Sequence, residues 1–425
     1  MPTASGHWGT WRGYSYLSAA ILVALSLVYS SLLIAAGAII WLTALSGAVH
    51  LIGRARNQTL LLLGLGLAGL TYSVIQGASI PWLKLMQSNT VLLSMLFAVS
   101  FLSLVATPTA TSKERQLPTG KSGLLSTLLA NHLFGAIINI SSVIMVGERL
   151  KAYRKIDLPL ARSLAITFGL CALWSPFFAS MAYTMILVPN MDLYSVMLMG
   201  MPVSALGIAI LYWHNRKASA GLPGYPLKGR SLVLPSLLAL VVIVCHEVWP
   251  STPIPIIIII TSLLLVNAIL LLEQRWHLAH RHCQNRLGNY IAEASIFLAA
   301  GVFATGLGQF LQVVPFNLPF DQYGATEASI VLFGSLIAAR LGVHAIMIMA
   351  LLNPLLSTLD PPPNLLAMTY LAIWGVGMAI NPVSGTLLTI QGQFGIKGST
   401  MARSNTAYTV VLFGIVCAAF YLYNL

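Results

Sequence analysis

Charge is what this sequence has least of. Asp and Glu together number 10 in 425 residues, and all charged residues make up 8% of the chain. A soluble domain carries roughly a quarter, so a water-facing domain of useful size is excluded. The 4 cysteines (Cys171, Cys245, Cys283, Cys417) are far apart, which argues against a disulfide framework or a CxxC site. No P-loop, dinucleotide fingerprint or nucleophile–base pair occurs, so no catalytic residue is expected and the chain does not read as an enzyme. The 22 Lys and Arg give a net charge of +12. They are spread over short connections instead of forming one face, which argues against nucleic acid as a partner.

What the chain has instead is apolar length. Hydrophobic residues make up 57% of it, and runs of about 18 or more recur from end to end, each long enough to cross a bilayer. The run that begins near Tyr16 lacks a small-residue cleavage site and reads as a retained helix, not a signal peptide. The expected class is an all-α polytopic membrane protein, located in a bacterial inner (plasma) membrane.

Loop charge threads the chain through that membrane. Basic connections occur at His7–Arg12, Arg54–Arg56, Lys113–Lys121, Arg149–Lys155, Arg216–Arg230, Arg275–Arg286 and Lys397–Arg403. By the positive-inside bias these are cytoplasmic, and so is the N-terminus. Connections 80–88, 189–192, 249–253, 312–325 and 357–365 are poor in basic residues and belong outside. The run 15–50 then becomes two helices turning near Ser30–Ser31. Crossings follow at 59–79, 88–108, 163–188, 193–213, 231–248, 254–272, 290–311, 366–390 and 404–424.

Two apolar stretches do not fit as crossings. The stretch 123–147 has basic connections on both sides, and 326–356 has acidic or neutral ones on both sides. Each must return to the face it entered from, as a re-entrant hairpin. The expected count is about eleven crossings plus two hairpins. Residues 1–30 form an extra N-terminal helix, and 31–215 a first repeat with hairpin 123–147 and broken helix 163–188. A cytoplasmic linker spans 216–230. Residues 231–425 form a second, inverted repeat with hairpin 326–356 and broken helix 366–390. Inverted repeats with broken helices place a binding site near the bilayer midplane.

Short echoes pair the halves. "NHLFGAIINISSVIM" parallels "VHAIMIMALLNPLLS", aligning His132 with His344. "SPFFAS" parallels "NPVSGT", aligning Ser175–Pro176 with Asn381–Pro382 and Ser180 with Thr386. Pro176 and Pro382 each delete a backbone donor, so both helices should be interrupted there. Carbonyls freed by such a break persist in a membrane only beside protein, water or a ligand. They suit a cation, and the N-terminus of the half-helix that follows suits an anion. Ser175, Pro176, Asn381, Pro382, Ser384 and Gly385 are therefore the expected ion site, with sodium or a proton as coupling ion. The plainer alternative is a simple proline kink.

The hairpins carry the rarest residues. Asn131 and His132 fall near the middle of the first, Arg340 and His344 near the middle of the second. Ionisable groups at membrane depth are functional candidates because burying them is costly. With Ser180 and Thr386 they form the expected substrate site, in which Arg340 holds an anion by a forked hydrogen bond. The plainer alternatives are a packed, hydrogen-bonded histidine and an Arg340 paired to Glu327 or Glu293. Glu293, at the start of run 290–311, reads as interfacial, as does His246–Glu247. "HLAHRHC" (277–283) resembles a ligand cluster, but its arginines repel a cation, and no transition metal or cofactor is expected. "SNT" at 88–90 and 404–406 reads as a helix N-cap.

This layout resembles the ion transporter superfamily, which includes divalent-anion:sodium symporters, tripartite dicarboxylate transporter large subunits, and arsenite and citrate carriers. "GVH" (342–344) is similar to a hairpin motif of the tripartite subunits. The hairpin tips "NHLFG" and "RLGVH" depart from the Ser-Asn-Thr of the sodium symporters. The resemblance implies secondary active transport of a small carboxylate-like anion by an elevator motion. It further implies a scaffold that includes helices near 31–50 and 231–248, and a possible homodimer. Alternatives are an oxyanion or arsenite efflux carrier, a membrane subunit working with an accessory binding protein, a channel, or an intramembrane enzyme.

Overall fold

The computed structural model describes residues 7–105, 117–227, 229–314 and 318–423. Lys113 and Arg115 of the expected basic connection lie outside them. Among the described residues the chain is helical, and its one β-type pairing is an isolated bridge between Thr119 and Pro223. The first half contains α1 (His7–Leu25), α2 (Leu32–Gly47), α3 (Gly53–Ile75), α4 (Trp82–Gln87) and α5 (Thr90–Ser100). It continues with α6 (Gly120–Ile138), α7 (Ser141–Lys151), α8 (Leu158–Gly169), α9 (Ala179–Leu187) and α10 (Leu193–Asn215). The second half contains α11 (Gly229–Val248), α12 (Ile254–Leu272), α13 (His277–Asn285), α14 (Ile291–Val313) and α15 (Ala325–Arg340). It ends with α16 (Ala345–Leu356), α17 (Pro363–Ile380), α18 (Gly385–Phe394), α19 (Gly398–Ser404) and α20 (Thr406–Tyr423).

Eight helical stretches among the described residues are long and apolar enough to cross a bilayer. They are Leu32–His50, Gly53–Ile75, Trp82–Leu104, Leu193–Asn215, Ile254–Leu272, Ile291–Val313, Pro363–Phe394 and Thr406–Tyr423. Shorter apolar helices occupy Leu158–Leu173, Ser236–Val248 and Ala345–Leu359.

Local chemistry sets the helix ends. Asp157 accepts from Leu160 N at 3.0 Å to start α8, and Asp192 accepts from Ser195 N at 2.7 Å to start α10. Proline occupies the first turn of α8, α12 and α17, where its missing N–H costs nothing. The turn expected at Ser30–Ser31 falls between α1 and α2. Two expectations need correction. "SNT" does not cap α5: Asn89 takes a left-handed φ of 56° with no side-chain cap bond, and its amide donates to Phe297 O at 2.6 Å. The interruption in the first hairpin stretch lies at Asn139, not at Asn131–His132. Asn139 has φ 57° and ψ −143°, a positive φ that asparagine tolerates better than most residues.

The chain forms two compact units that cut across its halves. The first comprises Met1–Val105, Leu237–Pro319 and Met349–Thr358; the second comprises Ala106–Ser236, Phe320–Ile348 and Leu359–Leu425. In the first unit α3 lies along α14, α1 along α2, and α5 against α12. Arg12 is buried and donates to Ser46 O at 2.7 Å and to Ser46 Oγ at 3.2 Å, placing its charge at the carbonyl end of α2.

α13 disperses the "HLAHRHC" side chains: His277 and His280 are exposed, while His282 and Cys283 are buried. His280 meets Tyr14 and Gln284 instead of a neighbouring ligand. Ser100 Oγ donates to Phe97 O at 2.6 Å, so it accepts from His282 Nε2–H at 2.8 Å. His282 Nδ1 is buried without a partner. Burial, aided by the Arg286 charge, pushes this histidine down to about 4. The unfolded chain takes up the proton near pH 6.5 and the folded chain does not. Stability from this group is therefore present above about pH 6.5 and is lost as pH falls through about 4, up to about 3 kcal/mol in the limit. The detergent-solubilised protein should show this loss in its unfolding midpoint, and His282→Gln should flatten it. Equal pH dependence in both proteins refutes the assignment.

In the second unit α17 is the core. Between Leu365 and Ile380 only Met378 is not buried, as expected for a helix that is apolar all round. It touches α8, α9, α10, α15 and α20. The linker after α10 straps across the start of α6. Gly120 N donates to Leu222 O at 2.9 Å, Gly224 N to Pro118 O at 2.7 Å, and Tyr225 N to Thr127 Oγ1 at 2.8 Å. The Tyr225 ring is buried edge-on to Phe134.

Candidate binding site

The first interruption follows from Pro176. Without its N–H the helical ladder cannot continue, so α8 tightens into a 3-10 turn at Leu170–Leu173 and ends. The Ser175 hydroxyl accepts from Phe177 N at 3.2 Å and donates to Ala136 O of α6. Phe178 N donates to Ser175 O at 3.2 Å. Across the gap, Ser180 Oγ donates to Ala172 O at 2.9 Å.

The second interruption repeats this plan 206 positions later. Asn381 Oδ1 accepts from Val383 N at 3.0 Å, and Asn381 Nδ2 donates to Val343 O at 2.9 Å, in the segment after α15. Ser384 N donates to Asn381 O at 3.0 Å. Thr386 Oγ1 reaches back across the gap to Met378 Sδ at 2.9 Å. Adding 206 converts Ser175, Phe177, Phe178, Ala172 and Ser180 into Asn381, Val383, Ser384, Met378 and Thr386. The two breaks differ at the next helix: Ser384 Oγ caps α18 by accepting from Leu387 N at 3.3 Å, whereas Phe178 gives α9 no side-chain cap.

The same offset relates Gly169 to Gly375, where α8 and α17 touch. A Cβ on Gly169 would stand 3.0 Å from Gly375 O, and one on Gly375 would stand 2.9 Å from Gly169 O. Reciprocal contact between matching positions is the mark of local two-fold symmetry. α9 also contacts α17, and α18 contacts α8.

All twelve candidate residues fall in the second unit, as two sets. Around the first break, Asn131 and His132 sit on α6, about two turns before Asn139. Asn131 Nδ2 donates to Leu164 O and Thr167 Oγ1, both at 2.8 Å, while its Oδ1 is buried without a hydrogen bond. His132 Nδ1–H donates to Thr167 O at 2.8 Å, and its Nε2 accepts from Trp174 Nε1–H at 3.0 Å. One donor and one acceptor fix a single neutral tautomer. Cys171 Sγ donates to His132 O at 3.1 Å. His132 is thus occupied on both nitrogens and ties α6 to the broken helix.

Around the second break, Arg340 ends α15 and His344 precedes α16. His344 Nδ1 accepts from Ile346 N at 3.2 Å, leaving Nε2 to carry the proton, and Trp374 meets the ring edge-on at 5.8 Å. Glu327 does not pair with Arg340; its carboxylate accepts from Gly324 N at 2.8 Å. Glu293 belongs to the other unit. Pro382 is half-buried and Gly385 exposed, whereas Ser175, Pro176 and Phe177 are buried. No hydrogen bond joins one set directly to the other among the described residues. Among the same residues, no three of His, Cys, Asp and Glu gather as metal ligands.

Sequence reasoning missed several partners. Trp174 and Trp374, beside His132 and His344 respectively, read as ordinary apolar residues. Arg162 Nε donates to Asn405 Oδ1 at 2.9 Å, and Asn405 Nδ2 donates to Ala379 O at 2.8 Å, bracing the turn before the second break. Arg162 was as legible as Arg340, since both are lone arginines in apolar runs.

The sequence matches no protein-family model and no curated protein. The helices themselves define the class: this is an all-helical integral membrane protein. Within it, two interrupted helices of one design share a compact unit.

Proposed function

We propose that the protein is a secondary active transporter of a small organic anion, carboxylate-like, coupled to sodium or protons. In this reading the chain makes about eleven crossings and two re-entrant hairpins, and the unit with both broken helices carries the substrate in an elevator motion. One observation carries the proposal: two helix breaks, built alike about a reciprocal glycine contact, lie in one unit with both hairpin histidines and Arg340. Interrupted backbone at membrane depth is stable where it serves a ligand. Ser175, Pro176, Asn381, Pro382, Ser384 and Gly385 shape the ion site. Arg340, His344 and Thr386 face the anion, with Asn131, His132 and Ser180 on the first-break side. The unpaired Asn131 Oδ1 suits a hard cation or a donor on the substrate.

Proteoliposome uptake of a carboxylate panel, under imposed sodium and proton gradients, tests this. Saturable, gradient-dependent uptake is the expected result. Non-saturating flux that ignores both gradients points to a channel, and the absence of any flux removes the proposal.

A further inference from the structure

We infer that Arg162 is a positioning residue of the second break, and that through Asn405 it holds open the backbone the coupling ion uses; this rests on the transport reading above. In a continuous helix Val383 N would donate to Ala379 O, four residues back. At the break the two groups part. Val383 N donates to Asn381 Oδ1 at 3.0 Å, and Ala379 O accepts from Asn405 Nδ2 at 2.8 Å. Two asparagine amides thus take the two halves of one opened hydrogen bond.

The Asn405 side chain is buried, and a carboxamide can face either way, since its oxygen accepts and its nitrogen donates. Arg162 settles the choice. A guanidinium has donors only, so the amide oxygen faces Arg162 Nε at 2.9 Å and the nitrogen faces Ala379 O. Turned the other way, the amide would set its oxygen against a carbonyl oxygen and its nitrogen against a cation. Arg162 makes no ion pair among the described residues, so pairing an acid is not its role. Its charge does not help a cation site either, because a nearby positive charge repels the ion. What Arg162 supplies is a donor at a fixed place.

The first break shows that the fold does not need this device. The 206 offset turns Ala379 and Val383 into Leu173 and Phe177. Phe177 N donates to the Ser175 hydroxyl, as Val383 N does to Asn381, but no donor reaches Leu173 O among the described residues. That carbonyl abuts Gly200 of α10, where an added Cβ would overlap it. The same offset puts Met199 and Met368 in the places of Asn405 and Arg162, and neither side chain can donate. A broken helix therefore stands without the pair. The Arg162–Asn405 pair belongs to what the second break does, and residues that orient an ion's ligands set its affinity.

Substitutions that change one atom test this. Arg162→Gln keeps an N–H donor as far along the side chain as Nε, without the charge. Arg162→Met puts a methyl group there, and Arg162→Glu an acceptor. Uptake of labelled succinate, lactate and citrate by the full chain in proteoliposomes is measured against sodium at fixed pH and against pH at fixed sodium. For the ion that drives uptake in the parent, Arg162→Met and Arg162→Glu should raise the half-saturating concentration about tenfold. Arg162→Gln should recover most of that loss. In an Asn405→Ala background Arg162→Met should add little, because the two residues act in series. Should Arg162→Met and Arg162→Glu fail to fold, Asn405→Ala carries the same expectation and the same refutation.

An Arg162→Gln protein as impaired as Arg162→Met shows that the charge matters, and overturns the inference. So does a fully additive loss in the double variant. Variants that lower the thermal midpoint but keep the parental ion dependence overturn it as well, and leave Arg162 a structural brace. Each of these outcomes leaves ion-driven uptake by the parent standing. A parent protein that takes up no carboxylate in response to either gradient overturns the transport reading and this inference together.

Discussion

Gly306→Val should yield almost no folded protein. A Cβ at this position would stand 2.1 Å from Gly66 O and 2.8 Å from Gly66 C, both backbone atoms of α3. The contact is dense on both sides. A Cβ on Gly66 would meet Phe303 N and Cα at 2.7 Å, and one on Gly69 would meet Gly306 O at 2.7 Å. No rotamer change relieves a clash with backbone, so α3 and α14 would have to part along much of their shared length. Membrane helices gain little from the hydrophobic effect when they associate and depend on close packing between small residues. Overpacking a well-filled site costs roughly 1–3 kcal/mol when side chains can yield, and here they cannot. The measurement is folded yield by fluorescence size-exclusion chromatography, with the thermal midpoint of whatever survives. Gly64 and Gly308 lie on the same two helices, with nothing within 4 Å of an added Cβ. Gly64→Val and Gly308→Ala should therefore behave like the parent protein. A monodisperse Gly306→Val protein of parental stability shows that the helices do not meet through these glycines.

Asn381→Ala should cut ion-dependent uptake at least tenfold while leaving a folded protein. The side chain makes two bonds in opposite senses, donating to Val343 O and accepting from Val383 N. The first ties the break to the segment between Arg340 and His344; the second holds the unwound turn before Ser384. Removing the amide leaves both backbone groups without partners, at about 1–3 kcal/mol each if water cannot reach them. Because Pro382 and Gly385 are not fully buried, the site relaxes locally and the fold survives. A fall of at least tenfold in uptake is expected, with a weaker response to the coupling-ion gradient. Asn381→Asp keeps the acceptor and loses the donor, and should fall between the two. A merely structural role makes a different forecast: a lower thermal midpoint, with the half-saturating ion concentration unchanged. That pattern, or uptake equal to the parent, removes Asn381 from the ion site.

The legible part of the site was the part written in single residues. Pro176 and Pro382 cannot donate a backbone hydrogen bond whatever surrounds them, and both helices stop where those prolines stand. Arg340 and His344 lie at the turn between α15 and α16, because Gly342 (φ 94°) and its neighbours release the helix there. The first hairpin stretch was misread for the converse reason. Its interruption depends on Asn139 taking a positive φ, a conformation asparagine accepts but does not require. Gly135 stays helical even though glycine relaxes a helix more readily. The "SNT" segments misled in the same way: the asparagines formed long-range bonds, to Phe297 O and to Ala379 O, in place of local caps.

The sequence by itself determined the membrane class, the place of the long apolar helices and both proline breaks, but not the short helices α4, α13 and α19, which fall in stretches read as connections. The determined features follow from properties local to the chain: apolar length, loop charge, and a ring that lacks an N–H. Tertiary structure alone decided which atoms each break engages, that His132 is held in one tautomer, and that Arg340 has no hydrogen-bond or ion-pair partner among the described residues. It also decided that the compact units draw on both halves of the chain. Such outcomes depend on contacts between residues tens to hundreds of positions apart, and no local preference encodes which of many apolar faces will meet.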